Sequence, residues 1–251
     1  MTTHNERIVE QFSLQAVPFT QVPGHSDSIN MLIEFSGASQ DSTVLDLACG
    51  PGIVACEFAR HAKHVTGIDI TPAMIEQAKK RQQENHLDNV EWKIGDVTAL
   101  PFPDHSFSTV VTRYSFHHFE NPKAVLAEMI RVCKPGGKVL VADVVLPADK
   151  VEKYDALELI RDPSHVHALT HSEMGEVFKT SSLKSIETAN YKVEIELEQQ
   201  IKASFPKGGD EDKIRKMFAD ELIEDRMGVN VHRRGNEIHY EVPITILVGT
   251  C

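Results

Sequence analysis

Val44-Leu45-Asp46-Leu47-Ala48-Cys49-Gly50-Pro51-Gly52 is the stretch on which the fold turns. A short apolar run carries an acid, Asp46, near its end, and Gly50 and Gly52 then turn the chain towards a helix. This is the sequence of a strand whose tip is cleared for a nucleotide-like ligand. Outward from it, 43–48, 64–69, 90–95, 107–113 and 137–145 read as strands, and 52–62, 72–86 and 121–133 as helices between them. Thr71-Pro72 and Asn121-Pro122 each set a capping residue before a proline suited to the first helical position. Val125, Leu126, Met129, Ile130 and Cys133 form one apolar stripe at helical spacing. Lys134-Pro135-Gly136-Gly137 ends that helix and turns into the next strand. Such alternation predicts a doubly wound, Rossmann-like α/β sheet of parallel strands.

The flanks are less regular. Residues 5–35 carry Ile8, Val9, Phe12, Val17, Ile29, Leu32 and Ile33 at helical positions, with Pro18 and Pro23 as breaks. After residue 146, 149–180 reads as helix broken at Pro163, and 185–197 as a strand. Residues 198–227 read as helix around Pro206–Gly209, and 229–250 as two or three strands with a turn at Gly235-Asn236. The expected organisation is one domain over 1–251. In it, 1–40 is a helical cover, 41–146 the ligand-binding core, and 147–251 helical inserts plus strands that complete the sheet.

Charge narrows the partners. The chain of 251 residues has 26 basic and 37 acidic side chains, a net charge of −11. That disfavours nucleic acid and anionic membrane surfaces, both of which need a basic face. No apolar run approaches the roughly 20 residues of a membrane span, and the N-terminus lacks a signal pattern. Cys49, Cys56, Cys133 and Cys251 contain no Cys-x-x-Cys pair, so neither a metal site nor a disulfide framework is expected. A reduced, cytoplasmic protein is the expectation.

Three acids end three consecutive predicted strands: Asp46, Asp69 and Asp96. Ligands of open parallel sheets sit outside the strands' carboxyl ends. There Asp69 can accept both ribose hydroxyls, and Asp96 an adenine amino group, while the Val97 N–H meets a ring nitrogen. Gly50 and Gly52 let the backbone pass close to the ligand. A dinucleotide is the rival, because Gly50-Pro51-Gly52-Ile53-Val54-Ala55 fits G-x-G-x-x-A and Asp69 lies at the distance of a ribose acid. Charge separates the two. Unit charges 4 Å apart interact by about 4 kcal/mol at an effective dielectric near 20. Asp46 would oppose a pyrophosphate by that order and favour a cation, and Pro51 removes an N–H from a phosphate cradle. The nucleoside cofactor carrying a cation is S-adenosylmethionine.

Five motifs in order then carry a family resemblance: 44–52, 65–74 (Val-Thr-Gly-Ile-Asp-Ile-Thr-Pro-Ala-Met), 95–107, Arg113–Phe119 and Arg131–Gly137. Residues about 40–145 resemble the class I S-adenosylmethionine-dependent methyltransferases, in particular the group similar to the UbiE quinone-biosynthesis enzymes. Ser108 departs from the family pattern, which has Asp there. The resemblance implies a seven-stranded sheet whose last strand, 243–250, runs antiparallel. It implies Asp46, Gly50 and Gly52 around the methionine moiety, with Arg113 near that end. Asp69 and Ile70 would serve ribose and adenine, and Asp96 and Val97 adenine. Beyond residue 146 the likeness to the quinone enzymes fades. Arg161–His165 with Ala168–Thr170 is similar instead to small bacterial methyltransferases of the same group.

Methyl transfer from a sulfonium needs an aligned acceptor and, for a hydroxyl, thiol or enolisable carbon, a base. The candidates are His165 in the first insert and His117 or His118 after the fourth strand, with Tyr114 to orient the acceptor. Phe12 and Phe19 would help the N-terminal segment close over the cofactor. The acceptor expected is a small neutral or cationic molecule. The alternatives are a non-methylating protein that binds S-adenosylmethionine or S-adenosylhomocysteine, and an NAD-dependent oxidoreductase.

Overall fold

Strand β1 (Thr43–Leu47) runs through the middle of the sheet, flanked by two parallel neighbours. The computed structural model describes residues 3–18 and 28–251, so the readings at Phe19 and Pro23 lie outside the described residues. On one side of β1 lie β2 (His64–Asp69) and β3 (Val90–Ile94), and on the other β4 (Phe107–Arg113) and β5 (Cys133–Leu146), all parallel. Then come β9 (Glu237–Thr250) and β7 (Lys184–Glu196), giving the order β3-β2-β1-β4-β5-β9-β7. β9 is antiparallel to both neighbours and is inserted between them. The seven-strand path with an antiparallel last strand is as the resemblance implied. Two short strands add to it: β6 (Leu169–Thr170) on β5 and β8 (His232–Arg234) on β9. The strand order reverses between β1 and β4, and this is where ligands of such sheets bind.

Both faces are covered because side chains alternate along the central strands. Val44, Val65 and Val111 enter one core cluster, with Phe58 of α3 (Ile53–Ala59) and Leu32 of α2 (Ile29–Ser36). Leu45, Leu47, Ile68 and Val110 enter the other, against Val125, Leu126 and Met129 of α5 (Pro122–Val132). Asn121 caps α5 as read, accepting from the Ala124 N–H at 3.1 Å. Thr71 stands before Pro72 of α4 (Pro72–Glu84), yet its side chain makes no cap bond. Asp69 instead braces the turn before the helix, with Oδ1 accepting from the Thr71 N–H at 2.8 Å.

The covering elements come from both ends of the chain. α1 (His4–Gln15) begins at a capping box in which the Thr3 hydroxyl and the Glu6 carboxylate each accept from the other's backbone N–H. After β5 come α6 (Ala148–Arg161), α7 (His171–Lys179), α8 (Leu197–Ser204) and α9 (Asp210–Glu221). Between α6 and α7 the helical reading fails. Residues 162–168 form a loop, followed by β6. Among the described residues no helix is long and apolar enough to cross a membrane.

Candidate functional site

A cavity of about 340 Å³ opens at the carboxyl ends of β1, β2 and β4, roofed by α1, α6 and α8. Asp46, Gly50, Asp69, Ile70, Asp96, Val97, Arg113, Tyr114 and His117 all line it. With His118, which lines it too, ten of the twelve cofactor and catalytic candidates named from the sequence therefore meet in one place, from segments up to 72 positions apart. Gly52 and His165 do not line it.

Asp46 is 1% exposed, and its Oδ2 has no hydrogen-bond partner among the described residues. Burial pushes its carboxyl up to about 8, against the pull of Arg113. A buried carboxylate oxygen without a donor is costly. A cation or ammonium N–H in the cavity would complete it, so the residues here fit a ligand carrying positive charge. Asp69 is anchored rather than orphaned. Its Oδ2 accepts from the Gly50 N–H at 2.9 Å and its Oδ1 from Thr71, which ties the glycine turn to the second strand tip. Burial still holds this carboxyl above the ordinary aspartate range, against both bonds. Asp96 is held by Thr98 N–H at 2.8 Å, Thr98 Oγ1 at 2.7 Å and Asn5 Nδ2 at 2.8 Å. Burial would raise Asp96, but these donors outweigh it and hold the carboxyl low.

The two glycines do different things. Gly50 has φ +51°, and a Cβ there would meet nothing nearer than Met74 Sδ at 4.0 Å, so the backbone is open to the cavity. At Gly52, φ is +74° and a Cβ would lie 2.6 Å from Trp92 Cη2 and 3.0 Å from Ala78 Cβ. The reading of Gly52 as a point of close approach to the ligand is corrected: it is where α4 and the Trp92 ring of β3 pack against the turn.

Beyond Arg113 the chain kinks at Tyr114, a non-glycine at φ +56°. Such positions cluster at functional sites. The Tyr114 ring carries the Arg113 guanidinium 4.5 Å from its centroid, and its hydroxyl pairs with the Tyr191 hydroxyl at 2.9 Å. Burial raises the Tyr114 phenol far above its ordinary range, so the group positions and does not ionise. The next turn, Phe116–His118, presents His117. Its Nδ1 donates to Asp143 Oδ1 at 2.6 Å, and Asp143 Oδ2 accepts from the Phe116 N–H at 2.6 Å. Burial of His117 favours the neutral ring, but attraction to Asp143 and the hydrogen bond outweigh it, so the imidazole titrates above its ordinary range. Asp143, also buried, is held below the carboxylate range by the same partner. His118 packs. Its Nδ1 donates to Ser164 O at 3.0 Å, and burial with repulsion from His117 pushes it down to about 3.

His165 is corrected. Its side chain is buried off the cavity, with Nε2 bonded to Asp155 Oδ1 at 2.7 Å. The cause is local. Asp162 Oδ1 accepts from the Ser164 N–H at 2.9 Å and Asp162 O from the His165 N–H at 3.0 Å, turning the chain back on α6. The insert supplies Tyr154, Glu158, Arg161 and Asp162 to the cavity instead. The first three recur at helical spacing on one face of α6, a signal present in the sequence. Arg161 is paired with Glu158 through Nε–Oε1 at 2.9 Å and a second, shorter contact, and its Nη1 donates to Ser204 Oγ at 2.9 Å. Burial would raise Glu158, but Arg161 keeps it low. Asp143 was likewise missed. It is a fourth acid near a strand tip, interrupting the apolar run 139–146, and could have been found by the same rule as the other three.

A family model described as a methyltransferase domain matches residues 45–141. An uncharacterised methyltransferase, YcgJ of Bacillus subtilis, is 28% identical over 233 residues, which is 91% of this chain and 92% of that one. Its crystal structure superposes with a TM-score of 0.82, covering 90% of this chain and 98% of that one. A demethylmenaquinone methyltransferase of Renibacterium salmoninarum is 35% identical over 117 residues, 47% of each chain. With the methyltransferase domain at 45–141 on the observed fold, the chain carries a class I S-adenosylmethionine-dependent methyltransferase domain and is similar to the enzymes of the UbiE-like group.

Proposed function

We propose that the enzyme methylates a small-molecule acceptor held beside His117, and that His117, oriented by Asp143, takes the acceptor's proton. The observation that carries this is the His117–Asp143 pair on the wall of the cavity. The bond through Nδ1 fixes the tautomer and leaves Nε2 without a partner among the described residues, available as a base. S-adenosylmethionine supplies a methyl group already activated on a sulfonium. Asp46 and Gly50 would hold its methionine end, with Arg113 nearby, Asp69 and Ile70 its ribose, and Asp96 and Val97 its adenine. When the acceptor atom takes the methyl group and the sulfonium sulfur leaves with the bonding pair as S-adenosylhomocysteine, the acceptor's proton would pass to His117 Nε2. Asp143 faces the imidazolium that results and stabilises it. Roofing by α1, α6 and α8 excludes water and aligns the acceptor, which is most of what such a displacement requires.

A small acceptor is supported by the roofed cavity and the net charge of −11. The curated demethylmenaquinone methyltransferase also acts on a small molecule by its name, though the match spans about half of each chain. The test is radiolabelled methyl transfer from S-adenosylmethionine to a library of phenols, thiols and enols. His117→Asn is expected to lower turnover by roughly 10²–10⁴-fold while leaving the S-adenosylhomocysteine Kd unchanged. In the parent enzyme activity should rise with pH through an imidazole limb above 6.5, because the ring must be neutral to act and Asp143 raises its pKa. Asp143→Asn should move that limb to lower pH. Equal turnover with and without the imidazole overturns the assignment.

A further inference from the structure

The end of the cavity away from the three strand-tip acids holds polar groups that the methyl transfer does not use. Tyr154 on α6 and Tyr240 on β9 are 7% and 4% exposed and both line it. Neither hydroxyl has a hydrogen-bond partner among the described residues. Gln200 of α8 lines the same end, and its Oε1 is buried without a donor. These groups are one cluster. Gln200 Nε2 donates to Ser204 Oγ at 3.4 Å, Ser204 Oγ accepts from Arg161, and both phenols feel the Arg161–Glu158 pair. Around them the walls are Val193, Ile195, Val242 and Ile244.

Unmade hydrogen bonds of buried groups specify what completes them. Two phenolic hydroxyls can donate, and one amide oxygen needs a donor. The charges here are already spent. Arg161 is neutralised by Glu158, and Asp162 accepts from Ser164 and from Gln15 Nε2 at 3.4 Å. Among the described residues at this end, an anion would lose its hydration with no unpaired cation to meet it, and a cation would find no unpaired carboxylate.

We infer that this cluster is the specificity subsite for the far end of the acceptor, and that it selects an uncharged head that both accepts and donates hydrogen bonds. The acceptor class is then a neutral molecule with an acidic hydroxyl at His117, an apolar body, and a carboxamide-like or hydroxyl head between Tyr154, Tyr240 and Gln200. This rests on the proposed placement of the acceptor beside His117.

Four para-substituted phenols of nearly one shape test it: 4-hydroxybenzamide, 4-hydroxybenzoate, 4-hydroxybenzamidine and 4-isopropylphenol. Their heads are neutral polar, anionic, cationic and apolar. Dissociation constants are measured by calorimetry on the full chain, with and without saturating S-adenosylhomocysteine. The amide is expected to bind roughly tenfold more tightly than each of the others. Tyr154→Phe and Tyr240→Phe, which remove only the unpartnered hydroxyls, should each erase most of that preference and leave the S-adenosylhomocysteine Kd unchanged. The inference is overturned if the benzoate, the amidine or the isopropyl compound matches the amide. It is equally overturned if the amide preference survives in both variants, or if the amide does not bind. Failure of the catalytic reading shows elsewhere, as undiminished methyl transfer by His117→Asn, and leaves this binding order readable.

Discussion

Asp46 sets a folding cost against a binding gain within one carboxyl group. Because burial pushes it up to about 8, the folded chain keeps a proton that the unfolded chain releases near pH 4. Stability is therefore lost as pH climbs from about 4 to 8, and the loss levels off above that. Asp46→Asn carries no such proton, so its Tm should exceed that of the parent at pH 8.5 and approach it at pH 5. Binding has the opposite sign. A cation beside Asp46 favours the carboxylate, so S-adenosylhomocysteine binding should release close to one proton at pH 7. Its affinity should then rise with pH up to about 8 and flatten. Calorimetry in buffers of different ionisation heat reads the proton directly, and the asparagine variant should lose both the proton and most of the affinity. Proton release unchanged in that variant would sink this role. At this scale much of the candidate site was legible, because acids at strand tips follow from strand periodicity. His165 was misplaced because the turn made by Asp162 and Ser164 redirects its ring, and nothing in the spacing of histidines encodes a turn. Gly52 was right as a glycine and wrong as a contact, since the ring that demands it, Trp92, comes from another strand.

Helix α1 is docked mainly by polar bonds. His4 Nε2 donates to His118 O at 2.7 Å, Asn5 to Asp96, and Gln11 Nε2 to Ser204 O at 2.6 Å. Gln15 reaches Asp162, and Ile8 and Phe12 face the cavity rather than a core. An element held by solvent-exchangeable bonds over a cavity opens at lower cost than one that buries a wide apolar face. Its bonds end on both halves of the site, Asp96 at one end and Asp162 and Ser204 at the other. Filling the cavity should tighten it. Hydrogen exchange of the amides in His4–Gln15 is expected to slow at least severalfold on adding S-adenosylhomocysteine, while the central strands β1 and β4 change little. Equal exchange in α1 with and without ligand would show that the helix does not respond to the site. The existence of this helix was readable from apolar spacing. Its docking was not, because glutamines at buried positions look like a solvated face until the partner backbone is known. β6 escaped for another reason: two residues are too few to show a period.

Across the whole molecule, the parallel half of the sheet was legible because each strand, turn and helix there is specified by neighbours in sequence. The other half is assembled non-locally. β9 enters between β5 and β7, and the proposed acceptor end of the cavity joins residues of α6, β7, α8 and β9, so alternation names those strands without saying where they pair. That division predicts how the molecule responds to ligand. The candidate cofactor residues sit on three strand tips and the α1 cover, so a ligand that bridges them binds the folded chain alone. At 100 times its Kd such a ligand stabilises by about 2.7 kcal/mol. For a chain of about this size, 1 kcal/mol moves Tm by roughly 2–4 °C, so S-adenosylhomocysteine should raise it by roughly 5–11 °C. NAD at the same concentration should leave Tm within about 1 °C, because its pyrophosphate brings no ammonium to Asp46 at the tip of β1 and would lack the N–H that Pro51 does not have. Asp69→Ala and Asp96→Ala should each shrink the S-adenosylhomocysteine shift, and a full shift in both would remove those acids from the site. Stabilisation by NAD and not by S-adenosylhomocysteine would reverse the reading of the glycine turn itself.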